Sequence, residues 1–322
     1  MDNQHLREMN NKKTLLITGG SGFLGRNLAK RLKGEYNVIL GSRNNKNNWI
    51  AHGETGCEFC PLDVSNIESV RDCIQKYKPQ VIIHAAATKF VDLSEKFPLE
   101  TIDVNVIGSE NIARIAIENG VEFVVGISTD KAAPPVSNIY GMSKAIMERT
   151  FCLLNGKTSF CSVRYGNVCW STGSALPVWS KMILDGKTIT STGYYMRRFL
   201  FTIDDAVDLV EAALNNKDVV AGKIVAKKMK SAQICDLLDV FCRENSCSWE
   251  KSTPRPGERV DEVLVSKSEL EFSELVEIGN QEYILISPNV FSSNPVEQEL
   301  NSQNAARLSE EELLKIVKSS TR

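Results

Sequence analysis

The chain has 322 residues, 42% hydrophobic and 24% charged, with 38 Lys and Arg against 40 Asp and Glu for a formal net charge of −2. That length supports a large core in one domain or two lobes, and the charge balance excludes a basic nucleic-acid footprint or a charged tail. The most apolar runs, residues 81–87 and 123–127, fall far short of the ~20 residues of a membrane span, and residues 1–13 lack the apolar stretch of a signal peptide. The expectation is a cytoplasmic protein with no membrane and no nucleic-acid partner.

From Thr14 onward, short apolar runs alternate with amphipathic stretches. Residues 15–18, 37–40, 57–62, 81–86 and 122–128 are rich in Val, Ile and Leu and predict strands. Residues 23–32, 67–77 and 104–119 carry apolar side chains at helical spacing. Gly34, Gly53, Gly56, Pro79 and Gly120 mark the connections. A helix over 140–154 and a strand over 160–164 follow. Alternating β and α units with apolar strands predict an α/β fold, a Rossmann-type doubly wound parallel sheet covered on both faces, assigned to residues 1–165. From 166 to 322 Gly, Pro and Ser are denser and elements shorter, which predicts a smaller C-terminal substrate-binding lobe. Within it 203–214 reads as a strong helix able to pack back on the first domain, and 309–317 as a short helix near a polar end.

Nine cysteines and three histidines raise the question of a metal. Cys57 and Cys60 form a CxxC within an expected strand, where positions i and i+3 face opposite sides. That suits a shared zinc poorly, and no second CxxC or histidine pair lies nearby. The expectation is no metal and reduced, structural cysteines.

The first strand runs into Gly19-Gly20-Ser21-Gly22-Phe23-Leu24-Gly25, then a helix. Glycines permit the tight turn and let backbone N–H groups approach a pyrophosphate at the helix N-terminus; strand before and helix after give the pattern its meaning. Gly19, Gly22, Phe23, Leu24 and Gly25 are therefore candidate cofactor contacts. At the end of the second strand an NAD enzyme places Asp or Glu on the ribose, but here stand Gly41-Ser42-Arg43-Asn44-Asn45-Lys46. Arg43 can bond a 2′-phosphate bidentately with help from Ser42 and Lys46, which favours NADP; the alternative is a solvated loop surface. Asp63 and Val64, ending the third strand, are positioned for the adenine.

Ser128-Thr129-Asp130-Lys131 follows the fifth strand, with Tyr140-Gly141-Met142-Ser143-Lys144 soon after. On a helix Tyr140 and Lys144 share a face. A free phenol titrates near ~10, so a base at neutral pH needs a cation nearby; Lys144 and a nicotinamide ring are expected to supply it, with Thr129 bonding the same oxygen.

These features, with His84-Ala85-Ala86-Ala87 and Asn105, resemble the extended short-chain dehydrogenase/reductases over nearly the whole chain. The resemblance implies cofactor contacts at Ala85, Ala86, Ala87, Asn105, Tyr140 and Lys144. It sharpens at residues 128–133, Arg164-Tyr165-Gly166-Asn167-Val168, Arg197-Arg198-Phe199 and Arg255-Pro256-Gly257-Glu258-Arg259. Those segments look like the UDP-N-acetylglucosamine 4,6-dehydratases, including the inverting enzymes of pseudaminic acid biosynthesis; epimerases of the fold lack the Asp-Lys pair, and dTDP-glucose dehydratases carry Asp-Glu. The implied chemistry gives Tyr140 the 4-OH proton, a neutral Lys131 the C5 proton, and a protonated Asp130 the departing 6-OH. An ordinary exposed ion pair is the plain alternative for Asp130 and Lys131. Lys89, Asn167, Arg198 and Arg255 match positions near a UDP-sugar, and a homo-oligomer is the default assembly. The loop 131–139 reads one residue longer than in the inverting enzymes, leaving open the C5 configuration and a 5,6-ene product. A 4-epimerase or reductase, or a non-catalytic NADP-binding regulator, stand as alternatives.

Overall fold

The structure is a computed structural model that describes residues 12–253 and 259–319. Its first half is built of strands β1 (Thr14–Thr18), β2 (Asn37–Ser42), β3 (Glu58–Pro61), β4 (Val81–His84), β5 (Phe123–Ile127) and β6 (Ser159–Arg164). The helices between them are α1 (Phe23–Leu32), α2 (Asn45–Thr55), α3 (Ile67–Tyr77), α4 (Gly108–Glu118) and α5 (Ile139–Leu154). The six strands lie parallel in the order β3-β2-β1-β4-β5-β6. The order reverses between β1 and β4, and ligands of such sheets bind in the crevice beyond the strand ends there. Every residue of β4 and β5 is buried, as expected of parallel strands covered on both faces. One apolar cluster, with Leu28, Ile83 and Val210, fills one face; another, with Ile74, Ile112 and Phe151, fills the other.

Three strands from beyond residue 166 complete this sheet. Ile224–Lys227 joins β6 in parallel, and the hairpin of Ser273–Ile278 and Gln281–Ile286 extends it antiparallel to the edge. The helix Ile203–Asn215 packs on α1, where Arg31 meets Asp208 at 2.9 Å and Glu211 at 3.1 Å. The remainder, with the helices Ala175–Leu184, Ile234–Glu244 and Glu310–Lys318, has its own core around Trp179, Phe241 and Ile316. No helix among the described residues is long and apolar enough to cross a membrane.

Two regions depart from the sequence reading. Residues 45–55, read as a connection, form α2; Asn44 caps it by accepting from Asn47 N–H, and Gly56 ends it at φ +73°. The expected single helix over 104–119 is divided: a π-helical turn, Ile102–Ile107, precedes α4, with short helices Val91–Lys96 and Pro98–Thr101 before it. The π turn aims Asn105 inward; its Oδ1 accepts from Thr88 N–H at 2.9 Å, and its Nδ2 donates to Thr88 O at 3.0 Å and Ser143 Oγ at 2.9 Å. Such turns cost helical regularity and concentrate at functional sites. Cys57 and Cys60 are buried in opposite clusters, and Cys60 Sγ lies 3.0 Å from Cys73 Sγ.

Candidate active site

At the crevice, β1 and β4 are tied end to end. Thr18 O accepts from Ala85 N–H at 3.2 Å, and Thr18 Oγ1 accepts from Ala86 N–H at 3.2 Å. His84 is buried and held neutral, its pKa pushed by burial to about 3 with Lys144 adding in the same direction. Ser109 donates to Asn105 O at 2.5 Å, so it accepts from His84 Nε2–H at 3.1 Å. Nδ1 is then the acceptor for Thr18 Oγ1–H at 2.8 Å.

Gly19 turns at φ +68°, and a Cβ there would stand 2.8 Å from Ala86 N and 2.9 Å from Ala85 O. A Cβ on Gly25 would meet Gly19 O at 2.7 Å. The loop is thus bare backbone pressed between β4's end and α1. Helix α1 starts at Phe23 behind Gly22, with no side-chain cap and no acidic residue in its first turn, so its leading N–H groups and dipole are left for an anion. Ser42 Oγ bonds Ser21 Oγ at 2.6 Å and contacts Asn48, whose Nδ2 donates to Ser42 O at 2.9 Å. Arg43 and Lys46 stand exposed on the rim. Asp63 accepts from Ser65 N–H and Oγ–H at 3.0 and 2.7 Å; Val64 is buried against Gly108. Ser21 and Asn48 escaped the sequence reading, because only the fold brings them to Ser42.

Beyond β5, Thr129 caps a short 3₁₀ turn, Asp130–Ala132. Asp130 is fully buried; its Oδ1 accepts from Thr129 Oγ1–H and Lys131 Nζ–H, both at 3.0 Å, while Oδ2 has no partner. Lys131 Nζ also lies 3.3 Å from Glu262 Oε1, and Arg198 Nε 3.8 Å from that same oxygen. Asn138 caps α5 by accepting from Gly141 N–H at 2.7 Å. A Cβ on Gly141 would sit 2.2 Å from Lys131 O, so the helix bearing Tyr140 presses directly on the turn. Lys144 Nζ donates to Ile127 O at 2.8 Å.

The charges packed around this cluster oppose one another. Burial pushes the Tyr140 phenol up to about 12 and Asp130 adds in that direction, while the Lys131 charge and the Thr129 hydroxyl oppose it. Burial alone would lower Lys131, but Asp130 and Glu262 outweigh that and raise it, so at neutral pH it is an ammonium between two carboxylates. The Asp130–Lys131 pair is not a surface ion pair: the two side chains are 0% and 16% exposed.

The substrate-side expectations divide. Asn167 lies on the short strand Asn167–Val168, parallel to Arg197–Phe201, which carries Arg198. Arg198 turns inward, donating to Arg197 O at 2.8 Å and Val260 O at 3.3 Å. Lys89 is exposed, its amine 5.5 Å from the Phe90 ring centre and its pKa lowered by partial burial. Arg255 lies outside the described residues. Just after that stretch, Arg259 donates to Ser137 Oγ at 2.9 Å and contacts Pro135 O, clasping the 131–139 loop. Glu262 was missed altogether, since nothing local in Val260-Asp261-Glu262 marks it.

Strand order and glycine loop define the class, a dinucleotide-binding fold of the extended short-chain dehydrogenase/reductase type. A family model described as "Polysaccharide biosynthesis protein" matches residues 15–279, and the chain belongs to that family. It is 35% identical over 283 residues to the capsular polysaccharide biosynthesis protein CapD of Staphylococcus aureus, covering 82% of this chain and 47% of that one, so it spans about half of CapD. It is 36% identical over 276 residues to a UDP-glucose 4-epimerase of Rickettsia rickettsii, covering 80% and 79%. Among solved structures, Pen from Bacillus thuringiensis superposes with a TM-score of 0.88 at 26% identity, covering 96% and 98%.

Proposed function

We propose that this chain is a UDP-N-acetylglucosamine 4,6-dehydratase that uses NADP and forms a UDP-4-keto-6-deoxy-N-acetylhexosamine in the cytoplasm. The observation that carries this reading is the buried Asp130–Lys131 couple, 3.0 Å apart, electrostatically coupled to Tyr140.

The residues at the crevice fit a dinucleotide: the backbone cradle at Gly19, which no Cβ can enter, and the uncapped start of α1 suit a diphosphate. Gly22, Phe23, Leu24 and Gly25 would hold that diphosphate. Ser42, Arg43 and Lys46 would hold a 2′-phosphate, Asp63 and Val64 the adenine, and Ala85, Ala86, Ala87 and Lys144 the nicotinamide half, with Asn105 bracing the loop after them. When bound, NADP supplies the acceptor for hydride from C4 and its donor to C6. Asn167, Arg198, Arg255 and Lys89 are the proposed contacts for the UDP-sugar.

Tyr140 takes the 4-OH proton, helped by the Lys131 charge that favours its phenolate. The C4 ketone acidifies the C5 proton. Transfer of one proton across the 3.0 Å Lys131–Asp130 contact turns ammonium and carboxylate into amine and acid, the two forms the elimination needs, without exchange with solvent. Lys131 then removes the C5 proton while Asp130 protonates the leaving 6-OH, which departs as water. Lys131, whose ammonium hydrogens exchange with solvent, then gives one of them back to C5. The proton Tyr140 gains equals the one Asp130 spends, so the cluster ends with as many as it began with.

A 4-epimerase is the second reading, favoured by the likeness to the Rickettsia protein; it would use Tyr140 and Lys144 but leave Asp130 and Lys131 without work. Incubation with UDP-GlcNAc and catalytic NADP⁺ in D₂O, followed by NMR, separates the two. Dehydration gives a C6 methyl and deuterium at C5, whereas epimerisation leaves C6 untouched. Lys131→Ala is expected to leave C4 oxidation possible but slower, through loss of the charge near Tyr140, and to slow elimination further, about 10²–10⁴-fold. Normal dehydration by that variant would remove Lys131 from its role.

A further inference from the structure

Glu262 is a buried carboxylate, 3% exposed, whose side chain meets only cations. Oε1 lies 3.3 Å from Lys131 Nζ and 3.8 Å from Arg198 Nε, and Oε2 has no partner. Among the described residues no hydrogen bond to backbone or hydroxyl employs the side chain, and the burial of its charge is offset by those two ions, an arrangement costly unless it serves something. Its backbone, by contrast, is pinned on both sides. Glu262 N–H donates to Ser302 Oγ at 3.0 Å and its carbonyl accepts from Ser302 N–H at 2.8 Å. The preceding Asp261 grips Arg197 bidentately at 2.6 and 2.7 Å, and Leu264 O accepts from the buried Arg164 at 2.9 Å. The carboxylate is thus presented to Lys131 from a rigid mount, as positioned site groups need to be.

We infer that Glu262 is a positioning residue that fixes the Lys131 side chain beside Asp130 and sets how readily it gives up its proton. This rests on the dehydratase reading for its meaning in the reaction, but the physical coupling exists without it. The charged and titratable groups facing Lys131 are Asp130 on its own turn, Glu262, Arg198 on the strand Arg197–Phe201, and Tyr140 on α5. Two carboxylates hold the ammonium charged, and Arg198 works against them. Arg197 and Asp261 pair with one another beside this group. Glu262 and Arg198 therefore act in opposite directions on one amine, and an anionic substrate group drawn to Arg198 would weaken its pull on that amine.

The test reads Lys131 directly in the full-length protein without sugar. Acetic anhydride acylates neutral amines, and its rate at Lys131 at pH 8, measured by peptide mass spectrometry against the exposed Lys315, reports the neutral fraction. Loss of an opposite charge at this range shifts a lysine by about 1–3 pH units, so E262Q is expected to acylate tenfold faster or more. E262D, which keeps the charge, should stay nearer wild type, and R198M should acylate more slowly. E262D serves as the rescue, since a merely structural role would not tie the Lys131 rate to the charge at position 262. Equal Lys131 rates in wild type and a folded E262Q would overturn the inference whatever the sugar assay shows. If E262Q does not fold, an R198M rate at or above wild type overturns it instead. A wild-type protein inert toward UDP-GlcNAc, with the Lys131 rates still shifted, would sink the dehydratase reading and leave this one standing.

Discussion

A buried lysine whose nearest oxygen is a backbone carbonyl gives up its proton early. Burial holds Lys144 down at about 8 against an ordinary 10.5, with Glu148 opposing. The unfolded chain keeps that proton up to its ordinary value, so between about 8 and 10.5 the unfolded state binds more protons and stability rises with pH. Lys144→Met is expected to remove this rise, which amounts to about 1.4 kcal/mol per unit of displacement. Urea unfolding across that window measures it, and an unchanged slope in the variant would count against the burial argument. Residue-scale features of this kind were legible wherever they were local. The one-turn spacing of Tyr140 and Lys144 is written in the chain, as is the glycine loop before α1. The charge of Lys131 near the phenol was not, because only the 3₁₀ turn folded under Gly141 brings it there.

At the scale of elements, hydrophobic period located α1 and α3 to the residue, since each buries a plain apolar stripe: Leu28, Ala29 and Leu32 in one, Val70, Cys73 and Ile74 in the other. It failed at α2, whose inward face is Asn48, Ala51 and Thr55, and no apolar signal can announce such a helix. It failed again at Ile102–Ile107, where the turn is widened to serve one polar side chain. Asn105 there clamps the Thr88 backbone to Ser143 on α5 through three hydrogen bonds. Asn105→Ala would leave both Thr88 backbone groups short of partners, and is expected to cost about 1–3 kcal/mol and to loosen the loop after β4. Chemical denaturation measures the first effect. Hydrogen exchange at Thr88 N–H measures the second, and protection equal to wild type would show that the clamp is dispensable.

Across the whole molecule, Arg164 joins the halves. Fully buried, it holds Glu148 of α5 at 2.6 and 2.9 Å and Glu269, on the 3₁₀ turn Lys267–Phe272 just before the edge hairpin, at 2.9 and 3.1 Å. Removing the shared cation would leave two buried carboxylates uncompensated, so Arg164→Met is expected to destabilise the protein by about 3–5 kcal/mol. A loss under about 1 kcal/mol on urea unfolding would show that water or rearrangement replaces it. The sequence placed the smaller lobe after residue 166 on composition alone, and composition does not register strands that travel back to a distant sheet. Ile224–Lys227 does so, taking the flank of β6 that would otherwise carry a row of unsatisfied amides and carbonyls. A fragment ending near residue 165 is therefore expected to expose a raw, apolar ribbon edge, the template on which chains stack into insoluble aggregates.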